Sequence, residues 1–252
     1  MYVAFLLLPE AIRPDPDAIA AAYEALFPDR PPIVATADDV LGIDGGTVSL
    51  TGEDGVLHAM LVDSPVPDGE AERNTARSLA FVGQEPTLPP HGAHLVLPWN
   101  PIEELTIVEG LRAQARVTAA AALATGAIAV YVGAAGATHP ADWYVEVVRQ
   151  VDDPTMLWIG VSHAVLDQEP PRHSFLSFGM HQFGQPDLLL TAGIEDGSDA
   201  IEYFYDLLAY CSASGKTVGD GETVGRTEDE RILVRHEPNP VDEDRAVFCV
   251  DL

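Results

Sequence analysis

The apolar residues of this chain come in short lengths. Runs such as Ala4–Leu8, Ala119–Ala124 and Ala127–Val132 are five or six residues long, whereas a helix that crosses a bilayer needs ~20. No membrane span is expected, and a core has to be built by packing many short elements together. Strand-like runs fall at Val3–Leu8, Ile33–Thr36, Thr47–Leu50 and Leu57–Val62, with amphipathic segments at Asp17–Phe27 and Gly69–Leu79. Asp15 and Pro16 supply the start of the first helix, and Pro28 stops it after Phe27. The turn residues Gly42–Gly46, GIDGG, separate two of the strands.

A Pro- and Gly-rich passage, GQEPTLPPHG at 83–92, interrupts this pattern and is read as a linker. It divides the chain into an N-terminal α+β half, residues 1–82, and a C-terminal α+β domain, residues 93–252. Beyond it come a strand at His94–Leu97, a long helix from Pro101 to Thr125 closed by Gly126, a strand at Ala127–Val132 and a helix over Pro140–Val151. Strands at Met156–Val165, Ser174–Met180 and Leu188–Thr191 follow, then a helix at Ser198–Ala213 and a closing strand pair, Ile232–Val234 and Ala246–Val250. The expected fold is α+β, with two related strand-helix-strand-strand-strand-helix halves. Its sheets are mostly antiparallel, with helices packed on one face of each. No G-x-G-x-x-G or G-x-x-x-x-G-K-[ST] element supports a nucleotide fold.

Forty acidic residues against thirteen basic ones give a formal charge of −27. Such a field repels nucleic acid and anionic membranes and speeds encounter with a basic partner. Compositional bias of a high-GC or salt-adapted source also produces it, and is the preferred reading. The N-terminus carries no basic leader or small-residue cleavage site, so a cytoplasmic protein is expected. The two cysteines, Cys211 and Cys249, offer no metal or disulfide spacing and are expected to be reduced and buried.

Chemistry has few marked places. The stretch SFLSFGMHQFGQPDLLL at Ser174–Leu190 alternates Phe175, Ser177, Gly179 and His181 on one face with Leu176, Phe178, Met180 and Gln182 on the other. His181 then lines a groove to which Gly179 and Gly184 admit backbone or ligand. In the plainer reading the glycines serve a bulge and a turn. His91 with His94, and His163 near His173, are the only close histidine sets, and no metal site or cofactor is expected. Glu109, Arg112 and Arg116 share a helix face. The two arginines suit an anionic ligand or an acidic partner, or form a solvated face with an intrahelical Glu–Arg pair, the preferred reading. GDGETVG at Gly219–Gly225 reads as a turn rather than a phosphate or cation loop.

The segments AHLVLPW, TGAIAVYVGAAGATHPADWYVE, SFGMHQFGQPDLLL and GKTVGDGETVGRTEDERILVRHEP together resemble a bacterial family, the domain of unknown function numbered four-two-six-one, over roughly residues 93 to 252. The resemblance implies that Gly179, Phe183, Gly184, Pro186 and Asp187 form one family signature, and Asp220, Gly221, Thr223 and Gly225 another. It brings no activity with it.

The leading expectation is a non-catalytic binding protein, whose partner is a basic protein or a small ligand. Neither nucleic acid nor a membrane is an expected partner. The rival is a hydrolase or transferase in which His181, with His94 or His163 and the carboxylate of Asp187, works in a groove between the halves. Phe183, Gly184, Gly179, Arg112 and Arg116 are the candidate ligand contacts. A structural subunit with an apolar self-association patch is a third possibility; the oligomeric state is left open.

Overall fold

A computed structural model describes residues 2–38, 47–227 and 229–252, so the turn expected at Gly42–Gly46 lies outside the described residues. The chain divides into two compact units, one ending at Trp158 and the other spanning Ile159–Leu252. Both are α+β with mostly antiparallel strands.

In the first unit β1 (Tyr2–Leu8) is followed by α1 (Pro16–Leu26), β2 (Val34–Asp38), β3 (Thr47–Gly52) and β4 (Gly55–Val62). A short helix α2 (Glu70–Arg73) with flanking 3-10 turns leads to β5 (Ala93–Pro101), α3 (Ile107–Thr125), β6 (Ala129–Val132), β7 (Ala137–Pro140), α4 (Ala141–Gln150) and α5 (Thr155–Trp158). The strands form one seven-stranded antiparallel sheet in the order β2-β3-β4-β5-β1-β6-β7. The run YVAFLLL makes β1 a strand that is covered on both sides, which is why it reads as continuous rather than alternating. Tyr2 faces Gly110 of α3, while Phe5 and Leu7 pack with Val66, Ala71, Ala129 and Tyr131 on the other side.

Local chemistry decides the helix ends. Asp15 accepts the Asp17 and Ala18 amides ahead of α1, with Pro16 at its first position. The long helix starts at Ile107, six residues later than expected from Pro101. Thr106 and Glu109 form a reciprocal capping box there, while Pro101 ends β5. Gly126, at φ 64°, closes it as expected. The segment expected as one amphipathic helix over Gly69–Leu79 is broken into α2 and 3-10 turns.

The second unit carries β8 (Gly160–Leu166), β9 (Arg172–Phe178), β10 (Asp187–Gly193), α6 (Gly197–Ser214), β11 (Thr223–Val224), β12 (Ile232–Leu233), β13 (Arg235–Pro238) and β14 (Ala246–Asp251). Its five-stranded sheet runs β13-β14-β10-β9-β8, with β10 and β14 parallel, and β11 pairs with β12 in a separate ribbon. α6 lies against β9 and β10, and the even-numbered residues Leu188, Leu190, Phe248 and Val250 are buried. The odd-numbered set, including Thr191, Glu237, Cys249 and Asp251, lines an open polar depression of about 310 Å³.

Several expectations are corrected by long-range pairing. The 83–92 passage falls inside the first unit: β5, directly after it, is hydrogen-bonded between β4 and β1. Strands read as one C-terminal repeat are divided between two sheets, β5 and β6 in one and β8, β9 and β10 in the other. Met156–Val165 begins as the helical turn α5 before β8. Ile232 and Leu233 pair with β11, and it is β13 that closes onto β14.

Candidate functional site

The signature around His181 is a locked turn. β9 ends at Phe178, so the strand alternation does not reach His181, which lies exposed in a 3-10 turn over Met180–Phe183. Gly179 (φ 109°) and Gly184 (φ 71°) bracket it in left-handed conformations that L side chains resist. Phe183 is buried beneath the turn. The Asp187 carboxylate accepts the Met180 amide at 3.1 Å and the Ser177 hydroxyl at 3.2 Å. Burial raises its pKa, offset by those two hydrogen bonds and by the charges of His181 and Arg245. Asp187 therefore serves the backbone of the turn.

The other candidates are held by local partners. His94 donates through Nδ1 to the Ser64 carbonyl at 2.7 Å, and burial lowers its pKa. His163 is hydrogen-bonded to His173 at 2.9 Å and stacks on Phe175; its pKa is lowered by burial and then by His173. Arg112 reaches Asp153 at 3.2 Å and Arg116 reaches Asp54 at 2.9 Å, while Glu109 serves the capping box. Neither arginine forms an ion pair along the helix; their carboxylate partners lie in the turns between α4 and α5 and between β3 and β4. Among the described residues no group of three or more His, Cys, Asp or Glu is arranged to hold a metal, and no helix is long and apolar enough to cross a membrane.

Two further histidine pairs are buried in the first unit. Ser78 is hydrogen-bonded to His139 Nδ1 at 2.8 Å, and His139 Nε2 donates to the Leu157 carbonyl at 3.3 Å. His139 is fully buried, which pushes its pKa down to about 4. The Ser78 oxygen also accepts the Ala80 amide, and neither residue is open to a substrate. His91 accepts the Val66 amide on Nε2 and meets Glu72 through Nδ1 at 2.9 Å. Both pairs satisfy buried polar groups.

A groove of about 560 Å³ lies between α6 and the β11 segment. Tyr203, Asp206, Leu207 and Tyr210 fall at i, i+3, i+4 and i+7, so one face of α6 forms its first wall. Glu222 to Arg226 form the second. Tyr203 is only 3% exposed and its hydroxyl has no hydrogen-bond partner, an expensive state for a buried polar group. Burial, reinforced by the Glu230 charge, raises that phenol to about 12, so it stays protonated. Arg226 lies over the Tyr203 ring, 5.1 Å from its centroid, and its Nη2 meets Glu230 at 3.3 Å. Hydrogen bonds to Arg226 lower the Glu230 pKa, and Glu230 in turn raises that of Arg226.

The second signature builds this wall. Asp220 accepts the His236 amide at 2.9 Å, Gly221 takes φ 80°, and Thr223 lies exposed in β11. A Cβ on Gly225 would stand 2.3 Å from the Glu230 carbonyl oxygen. Only glycine allows the backbone at 225 to approach Glu230 this closely and bring Arg226 to it. The glycine-rich stretch is thus a turn, as expected, but one that shapes a groove. The sequence reading missed Tyr203, Asp206, Tyr210 and Arg226; the readable signal was the spacing of YFYDLLAY on a helix next to an acidic, glycine-rich turn.

Residues 176–250 match the family model described as Domain of unknown function (DUF4261), a narrower span than the resemblance suggested but one that includes both signatures and the whole groove. Comparison with curated proteins and with solved structures returns no match.

Proposed function

We propose that this chain is a non-catalytic binding protein that engages a basic protein partner through the groove between α6 and β11. The observation that carries the reading is the buried, unpartnered Tyr203 hydroxyl in a groove whose walls present the carboxylates of Asp206 and Glu222. Among the described residues neither carboxylate has a cation within ion-pair distance, so both remain available to an incoming positive group. Leu207, Val218, Val224 and the half-exposed Tyr210 add apolar and aromatic area for the stem of a long basic side chain. The overall charge of −27 adds long-range attraction for such a partner and opposes nucleic acid and anionic membranes. In this reading the protein works in the cytoplasm without a cofactor.

The test is calorimetric titration of the full chain with an oligo-arginine peptide and with an oligo-glutamate peptide at physiological salt. Saturable binding of the basic peptide alone is expected, with affinity reduced about tenfold in an Asp206→Asn, Glu222→Gln double variant. Equal binding by the double variant would move the site elsewhere and defeat the reading.

A further inference from the structure

We infer that the groove is specific for a guanidinium group, and that Arg226 is a resident occupant which an arginine side chain of the partner displaces. The inference rests on the binding reading above and names the group recognised. Arg226 already shows how the site treats such a group. Its flat guanidinium lies over the Tyr203 ring, and its Nε and Nη2 address both oxygens of Glu230. A planar, delocalised cation with several N–H donors suits that pair of contacts; an ammonium provides a point charge without the fork or the stacking plane.

The surroundings hold more acceptors than Arg226 satisfies. Asp206 and Glu222 line the same groove, and the Tyr203 oxygen is without a partner. Of the Glu222 oxygens, one accepts the Gly219 amide at 2.8 Å. The backbone that carries Arg226 is fixed: Gly225 permits no Cβ, the Arg226 amide donates to Glu230, and β11 is paired to β12. The side chain itself is 47% exposed. It can therefore leave the ring by rotation about its own bonds while the loop stays in place. A partner arginine entering over Tyr203 inherits the ring and Glu230, and its remaining N–H groups have Asp206 and Glu222 to reach. A resident group of this kind lowers apparent affinity by the fraction of time it fills the site, and removing it restores that fraction.

The experiment compares oligo-arginine and oligo-lysine peptides of equal length on the full chain, as wild type and as Arg226→Ala, an exposed loop substitution. The wild type is expected to prefer the arginine peptide. Arg226→Ala is expected to tighten the arginine peptide by about fivefold and the lysine peptide by clearly less, because loss of one positive charge acts on both peptides alike. Tyr203→Phe, which keeps the ring, should preserve the arginine preference. Equal tightening of both peptides would reduce the effect to charge and overturn the inference, while leaving the binding reading intact. Weaker arginine binding by Arg226→Ala would overturn it too, by making Arg226 part of the wall. Absence of binding by either peptide to either protein would overturn both readings together.

Discussion

The Ser177 hydroxyl donates to the Asp187 carboxylate at 3.2 Å while its oxygen accepts the Leu188 amide at 2.8 Å. This two-way contact ties the end of β9 to the start of β10 across the Met180–Phe183 turn, with both side chains buried. Asp187→Asn retains an oxygen for the Met180 amide and the Ser177 hydroxyl, so it should cost little. Asp187→Ala leaves a buried amide and hydroxyl unsatisfied and should cost about 1–3 kcal/mol. Urea denaturation of the two variants checks this, and equal stability losses would mean that the charge rather than the acceptor matters.

Gly225 makes a sharper prediction about the groove. Gly225→Ala sets a Cβ against the Glu230 carbonyl, which should part Arg226 from Glu230. The strands of the five-stranded sheet do not depend on that contact. Circular dichroism should remain native while oligo-arginine binding changes; an unaltered titration would show that the close approach of Gly225 to Glu230 does not shape the site.

His139 gives the fold a pH dependence with a definite sign. Its folded pKa of about 4 lies below the ordinary 6.5, so the unfolded chain takes up the extra proton between these values. The stability associated with a neutral His139 is complete above pH 6.5 and is lost as pH falls toward 4, a change of roughly 3 kcal/mol. Denaturation curves at stepped pH should show a shallower decline for His139→Gln than for wild type. Identical slopes would mean that the imidazole is not held neutral in the folded state.

The cysteines should be slow to react. Cys211 is buried as expected but Cys249 only partly so; burial raises both thiols to about 11, with Glu237 adding to the effect at Cys249. At pH 8 few thiolates are present, and the thiolate is the nucleophile. Mass spectrometry after brief iodoacetamide treatment should find the native chain largely unmodified and both cysteines labelled in denaturant. Rapid labelling of native Cys211 would contradict its burial on the inner face of α6.

Thr106→Ala removes the hydroxyl half of the capping box that starts α3. A loss of about 1 kcal/mol is expected, read as a lower thermal midpoint. No change would indicate that packing of the largely buried helix, rather than its cap, determines where it begins.

Legibility of the chain followed the range of the interactions. Asp15 with Pro16, Gly126 after α3, Gly179 and Gly184 as bulge and turn glycines, and the apolar run of β1 were all readable, because a cap, a turn or an apolar strand is decided by residues a few positions apart. The sequence by itself therefore determined the α+β class, most of its elements and the turn character of both signatures. Only the tertiary structure decided that β5 continues the first sheet across the Pro- and Gly-rich passage, that β9 stops before His181, and that Asp187 is used inside its turn. It alone joined Tyr203 on α6 with Arg226 and Glu230 beyond β11. Those contacts depend on chain reversals and cross-strand partners, and their geometry exists only when segments distant in sequence are packed against one another.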